Sequence, residues 1–498
     1  MLQQIRLTWL YAGSLLFAAV NIYLTIHEVY WLNALPVAMA IALLFFFSLD
    51  KLILLLVFLT PLSVNMAFDE LGFTVNLPTE PIMVAIMLLA FLRFFYEGRY
   101  DNRILKHPIT ILLIIKLVWM LVTTVSSEIP VVSIKYFVAR LWFVTTFFFV
   151  GIYMFRDPKR MQQFMWLFGT ALVLVVIVAT ARHATVGFER QMGAWAVQPL
   201  FNDHTQYSAV LALIAPYFAV MSFNRADSVL RRRMALIFFL VLCVGILFSY
   251  SRAAWLSLII AAAGLIILAF RVKFRVLLAS GILVLSVLYL FQTDIVMYLE
   301  RNQQESSADF SEHIQSASNI TSDASNLERI NRWRAAFRMY QQRPVLGWGP
   351  GTYQFVYAPF QLSEDYTIIT THFGDLGNAH SEYFGPLSES GLPGMATFTA
   401  LALAILATGV KLFKKAPSRN LRLIALSVTL GFITYFSHGF LNNFLDTDKA
   451  SVPFWGMAAI LVAMDVFFDK RIAKAKENPE SKPLPPEKIG VWKDSRND

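Results

Sequence analysis

The stretch Gly377–Gly394, GNAHSEYFGPLSESGLPG, sets a histidine, two glutamates and several small residues directly before a long apolar run. Imidazole is the side chain best matched to removing a proton from a hydroxyl near neutral pH. Asn378 reads as the cap of a helix from about Ala379 to Ser390, and Gly391 as its end. His380 would then lie in a first helical turn, where unpaired N–H groups and the positive helix end favour an anion. Arg252, in FSYSRAAWLSL, stands at the start of another apolar run. Its guanidinium fork suits a lipid-linked phosphate, or it snorkels to lipid headgroups. Arg329 opens a polar helical stretch, as a second oxyanion ligand or as one charge of a solvated basic face. Its neighbours Arg332, Arg334 and Arg338 point around that helix and cannot all meet one ligand. Glu389 fits either an acid or hydrogen-bonding role or a helix-end glutamate. Asp203 and His204, in FNDHTQYSA, are either ligand contacts or interfacial polar residues. His27, His107, His313, His372 and His438 have no supporting pattern.

These side chains are scattered, so the elements between them must do the gathering. The chain of 498 residues is 57% hydrophobic and 15% charged, where soluble domains are about 25% charged. Apolar runs of about 16–20 residues are long enough to cross a ~30 Å hydrocarbon core as helices. Fourteen candidate spans read out at roughly 7–26, 31–48, 52–68, 81–96, 109–125, 141–155, 162–181, 207–222, 234–249, 253–270, 276–292, 394–410, 422–437 and 452–468. Several are short or interrupted, so the expectation is an all-α polytopic membrane protein with 12–14 transmembrane helices. The first span lacks a small-residue cleavage site and is followed by more spans, which argues against a signal peptide.

The net charge of +9 is topological rather than a sign of nucleic-acid binding. Its basic clusters, at 99–107, 156–160, 231–233, 271–275, 411–419 and 469–476, fall on one side if fourteen spans are threaded. By the positive-inside rule that side is the cytoplasm, and both termini lie there. The expected organisation is eleven spans over 1–292, one large extracytoplasmic loop over 293–393, three spans over 394–468 and a disordered cytoplasmic tail over 469–498. The loop holds twelve acidic residues, six arginines and no lysine, so it is net negative, unlike the basic cytoplasmic loops. Within it, SNLERINRWRAAFRMYQQRP reads as a helix, with Ser325 and Glu328 as a capping box and Ile330, Trp333, Phe337 and Tyr340 as its apolar face. The lone Cys243 excludes an internal disulfide, and a thiolate metal site is not expected. Walker, dinucleotide-binding, HExxH and CxxC patterns are missing. A transporter would carry ionisable residues at mid-membrane and paired broken helices; here the polar residues cluster at the outer rim.

At these residues the sequence resembles the O-antigen ligase family, which also contains Wzy-type polysaccharide polymerases. SRAAWLSL looks like the family's arginine-bearing span start. ERINRWRAAFRMYQQRPVLGWGPGTY resembles its loop segment and sets Arg329 on the family arginine; NAHSEYFGPLSESGLPG sets His380 on the family histidine. FNDHTQYSAVLAL, with Asp203 and His204, matches more loosely, since many members have an asparagine pattern there. The resemblance implies a membrane glycosyltransferase of the GT-C type in the bacterial cytoplasmic membrane, with its active site on the periplasmic side and no metal or other cofactor. The donor it implies is an undecaprenyl-diphosphate-linked glycan, and the acceptor a hydroxyl of a glycan or glycolipid. Arg252 and Arg329 would grip the diphosphate, and His380 would act as general base for inverting attack. The family leaves ligase and polymerase open, and a lipid-linked glycan transporter is the alternative from another class.

Overall fold

The computed structural model describes residues 2–28, 34–68, 73–97, 100–270, 272, 274–291, 324–363 and 377–468. The expected tail, the polar part of the loop at 302–323, His313 and His372 lie outside the described residues. The chain divides into two units, Met1–Leu56 and Val57–Asp498. The first holds α1 (Leu2–Ile26), α2 (Ala34–Phe47) and most of α3 (Leu49–Leu59).

In the second unit the expected span 52–68 is corrected. Helix α3 ends at Leu59, and a single turn at Thr60–Leu62 containing Pro61 leads into a β-hairpin. Its strands are β1 (Val64–Phe68) and β2 (Phe73–Leu77), antiparallel, with Met66 opposite Val75. Pro61 lacks the N–H needed to continue a helix, and polar Ser63 and Asn65 follow it. The hairpin base is tied to the last helix. Lys449 Nζ donates to the carbonyls of Thr60 and Ser63 at 3.1 and 2.8 Å, and Asp448 accepts from Ser63 Oγ at 2.9 Å.

The rest is helical. In chain order come α4 (Thr79–Glu97), α5 (Pro108–Val125), α6 (Pro130–Met154), α7 (Pro158–Ala184), α8 (His204–Ser222), α9 (Val229–Phe248), α10 (Arg252–Ala269) and α11 (Phe274–Leu290). After these follow α12 (Ala324–Gln342), α13 (Phe384–Lys415), α14 (Arg419–His438) and α15 (Asp448–Phe467). Nine helices among the described residues are long and apolar enough to cross a membrane. Two start earlier than the apolar runs suggest: α6 at Pro130 and α13 at Phe384. Helix α13 is kinked at Gly391, which has φ 67° and carries Pro393 just beyond it. A Cβ at Gly391 would sit 2.1 Å from the Val345 carbonyl, so both the backbone angle and the close approach demand glycine. Helix α6 widens to π-helical turns over Val144–Val150.

Helices α8 and α15 are buried on nearly every side and form the centre of this unit. Close packing of α14 on α8 rests on a small residue: a Cβ on Gly431 would lie 2.5 Å from the Leu213 carbonyl. One turn away, Thr434 Oγ1 donates to the Ala212 carbonyl at 3.0 Å, so a hydroxyl bridges the two helices.

Two sets of helix ends differ sharply. At one, Asn420 at the start of α14 accepts from Gln162 Nε2 and Asn224 Nδ2 at 3.2 and 3.0 Å, and Lys411 pairs with Asp465 at 2.7 Å. The arginines Arg231, Arg232 and Arg233 at the start of α9 belong to this end. The other comprises the C-termini of α7, α9 and α14 and the N-termini of α8, α10, α13 and α15, and it carries the histidines and arginines singled out above.

Candidate active site

His380 does not sit in a helix. Phe384 is the first helical residue, and His380 lies four positions earlier in a tight turn with φ +48°, a left-handed angle uncommon outside glycine. Asn378 caps that turn rather than a helix: its Oδ1 accepts from the His380 N–H at 2.9 Å. The helix start is served by Ser381, whose Oγ accepts from the backbone N–H of Tyr383 and Phe384 at 3.2 and 3.3 Å. The expected help from a helix dipole at His380 therefore falls away. The turn is held instead by Glu382, whose N–H donates to the Gly439 carbonyl at 2.8 Å. Its Oε1 accepts from Tyr435 Oη, Phe444 N and Leu445 N at 2.7–2.9 Å. One carboxylate thus fastens His380 to the α14–α15 connection.

Helix α12 approaches from the loop. The face it buries is only partly the expected one. Ala335, Ala336 and Met339 are buried against Tyr353, Tyr357 and Ala379, while Phe337 is 47% exposed. Alanines allow the helix to lie flat on the tyrosines, which larger side chains would hold off. Glu328 pairs with Arg332 at 2.8 Å, and Arg332 is only 2% exposed. Arg332 also donates to the Asn378 carbonyl at 3.3 Å and covers the Tyr357 ring at 4.6 Å. It is a positioning residue for the His380 turn, and it sits among the arginines that spacing alone leaves unassigned. Trp333 stacks on Phe384 with centroids 5.2 Å apart and meets Phe440 edge-on, which closes α12 onto the start of α13.

Arg252 is the first residue of α10, and the charges of Arg190 and Arg329 act on it. Arg190 lies in the α7–α8 connection, which Tyr250 anchors by donating to the Phe188 carbonyl at 2.7 Å. Arg329 in turn acts on His380, and Asp203 on both. So Arg190, Arg252, Arg329, Asp203 and His380, from four separate segments, share one electrostatic neighbourhood. Gathering like charges costs free energy, and the Asp203 carboxylate offsets part of it at Arg329.

Burial lowers the His380 pKa to about 3, with the Arg329 and Arg332 charges adding to it. The imidazole is therefore neutral at physiological pH and available as a proton acceptor. The Asn442 side chain lies beside the ring. Asp203 Oδ1 lies 2.9 Å from His204 Nδ1, and Thr205 Oγ1 donates to the same carboxylate. Burial works against its charge, but the bond and charge of His204 and the bonds from Thr205 outweigh it and hold the carboxyl at about 2. His204 thus reaches the cluster through Asp203.

Glu389 stands apart. Its carboxylate accepts from the backbone of Tyr353 at 3.1 Å and of Gly351, so it shapes the Gly-rich turn, and its charged neighbours include Arg140 and Asp446. Those belong to a polar group unforeseen from the sequence. Arg140, 7% exposed within α6, donates to Tyr136 Oη at 2.6 Å and has Glu382 and Asp446 as charged neighbours. Lys116 lies within α5, with Nζ over the Phe398 ring at 5.4 Å. The expectation that ionisable residues keep to the rim is corrected by these two. Single charges inside apolar helices are the available signal for them.

His438, set aside on sequence grounds, closes α14 beside Arg329 and Asp203. Among the described residues no group of three or more His, Cys, Asp or Glu has a metal-binding arrangement.

Spanning helices with arginines, a carboxylate and a neutral imidazole at one set of helix ends are those of a multi-pass membrane protein with a polar site at that end. Residues 236–399 match the family model described as O-antigen ligase. The match includes Arg252, Arg329, His380 and Glu389; Arg190, Asp203, His204, His438 and Asn442 lie beyond it. A comparison with curated proteins gives no match.

Proposed function

We propose that the chain transfers a glycan from an undecaprenyl-diphosphate-linked donor to an acceptor hydroxyl at the outer face of the bacterial cytoplasmic membrane. The observation that carries this reading is that Arg329 acts both on the neutral His380 and on Arg252, which Arg190 also neighbours, at the ends of spanning helices. A lipid-linked donor brings its diphosphate to that depth without leaving the bilayer. Guanidinium groups bind it in the ground state and stabilise the charge that grows on it as the glycosidic bond breaks. His380 accepts the proton of the acceptor hydroxyl, whose oxygen attacks the anomeric carbon from the side opposite the diphosphate. The new carbon–oxygen bond forms as the old one breaks. Undecaprenyl diphosphate leaves with both bonding electrons, and the configuration inverts. Asp203 balances part of the arginine charge, so product can depart. The outer-face placement is supported by the basic clusters at the opposite helix ends.

The test is transfer in proteoliposomes containing purified chain, glycosylated undecaprenyl diphosphate and candidate acceptors, with chelator present. Wild-type product, and its loss in His380→Ala with insertion intact, is the expected result. Near-normal product from the variant removes His380 from the mechanism. Ligase and polymerase share this chemistry, and a deletion strain separates them. Unattached polymer on the lipid carrier marks a ligase; single-repeat glycan marks a polymerase.

A further inference from the structure

We propose that the turn His438–Asn443 is a recognition wall for the hydroxyl groups of the donor's first sugar, the one joined to diphosphate. This rests on the transfer reading above and adds a saccharide subsite to it. The turn carries three buried polar atoms without a hydrogen-bond partner among the described residues: His438 Nε2, Asn442 Nδ2 and Asn443 Oδ1. His438 is 2% and Asn442 3% exposed, so these are interior groups. Buried polar atoms are nearly always paired, and each left unpaired costs about 1–3 kcal/mol. Three on one short turn beside the reactive histidine point to a ligand with hydrogen-bonding groups of its own.

The backbone that presents them is fixed. Leu441 and Asn442 donate N–H to the His438 carbonyl at 2.9 and 3.1 Å, and Glu382 grips Phe444, Leu445 and the Gly439 carbonyl. A wall so held is organised before any ligand arrives. Its placement selects the ligand. His438 neighbours Arg329, in the diphosphate clamp, and Asn442 touches the His380 ring. The turn therefore borders the gap between leaving group and base, and in an inverting transfer the sugar ring bearing the reacting carbon fills that gap. Two amides and an imidazole offer both donors and acceptors, as a hydroxyl needs. A sugar carboxylate would call for a guanidinium or ammonium group in the wall.

The experiment is direct binding to full-length protein in nanodiscs. The probes are bare undecaprenyl diphosphate, the same lipid carrying one neutral hexose, and its single-deoxy analogues. Wild type should favour the hexose lipid over the bare lipid, and one deoxy position should cost about fivefold, the equivalent of one net hydrogen bond. His438→Phe and Asn443→Leu should lose that preference while binding the bare lipid as wild type does, which also shows that they fold. Arg252→Ala should weaken both lipids. Equal weakening of both lipids by the turn variants, or unchanged hexose preference, overturns the subsite alone. A raised acceptor KM with unaltered donor binding reassigns the turn to acceptor sugar and also overturns it. Wild type that binds neither lipid defeats the transfer reading, and the subsite with it.

Discussion

His380 combines a strained backbone, a buried ring and two nearby positive charges, and these set its acid–base behaviour. With its pKa lowered to about 3, the ring in the free protein stays neutral throughout pH 5–8. A bound diphosphate brings negative charge beside Arg329, offsets the repulsion and raises the basicity of the imidazole. The kcat/KM for donor should therefore show no acid limb from His380 between pH 5 and 8. The kcat, which reports the complex, should fall as pH drops through the raised value. Steady-state profiles in both regimes check this, and an acid limb in kcat/KM that vanishes in His380→Gln would count against it. On the proposed reading Arg252 would meet the donor through a planar fork. Arg252→Ala should raise donor KM and lower kcat about 10–100-fold, Arg252→Lys should recover part of the loss, and acceptor KM should hardly change. At this scale the sequence singles out His380 and Arg252 because their types are unusual beside apolar runs. It does not single out Arg190 and His438, because ordinary arginines and histidines near helix ends look the same until their neighbours are known.

Helix α12 shows how an element can be foreseen while its working face is not. Its existence follows from composition and the stop at Pro344. Its buried stripe does not, because Arg332 and Glu328 go inward as a pair while Phe337 turns outward. Hydrophobicity misassigns a face whose partners are backbone carbonyls and tyrosine rings. Arg332→Met strands the Glu328 charge and should destabilise the protein by roughly 3–5 kcal/mol. The double change Arg332→Met with Glu328→Leu removes both charges and should restore most of the melting temperature in detergent. It should not restore transfer, since the Asn378 carbonyl still lacks its donor and the His380 turn is loosened. Full activity in the double variant would show that the pair serves stability only. The helix expected at Ala379 begins later for a comparable reason: Asn378 and Ser381 both bond to nearby backbone, and two Asx/Ser turns displace a first helical turn.

For the molecule as a whole, side is the question that function depends on. Single cysteines in a Cys243→Ser background report it. Glu189→Cys, in the α7–α8 connection, should react with an impermeant maleimide on spheroplasts, and Arg233→Cys at the start of α9 only after lysis. The reverse pattern would place the site on the cytoplasmic side, away from a lipid-linked donor's outward-facing glycan. Hydropathy alone marked the nine helices that are long and apolar enough to span among the described residues, because crossing hydrocarbon imposes a length and a composition that each segment meets by itself; it also misread 52–68 as one. Motif order around the loop resembles the same family whose model matches residues 236–399. What only the tertiary structure decided was assembly: that Arg329 lies near both Arg252 and His380, that Glu389 serves a turn, that Val64–Phe68 pairs with Phe73–Leu77, and that Glu382 fastens the His380 turn to Phe444 and Leu445. Burial in lipid acts on one segment at a time and leaves its mark in local sequence. Charge and hydrogen-bond pairing act between segments far apart along the chain, and their partners are fixed only when helices pack.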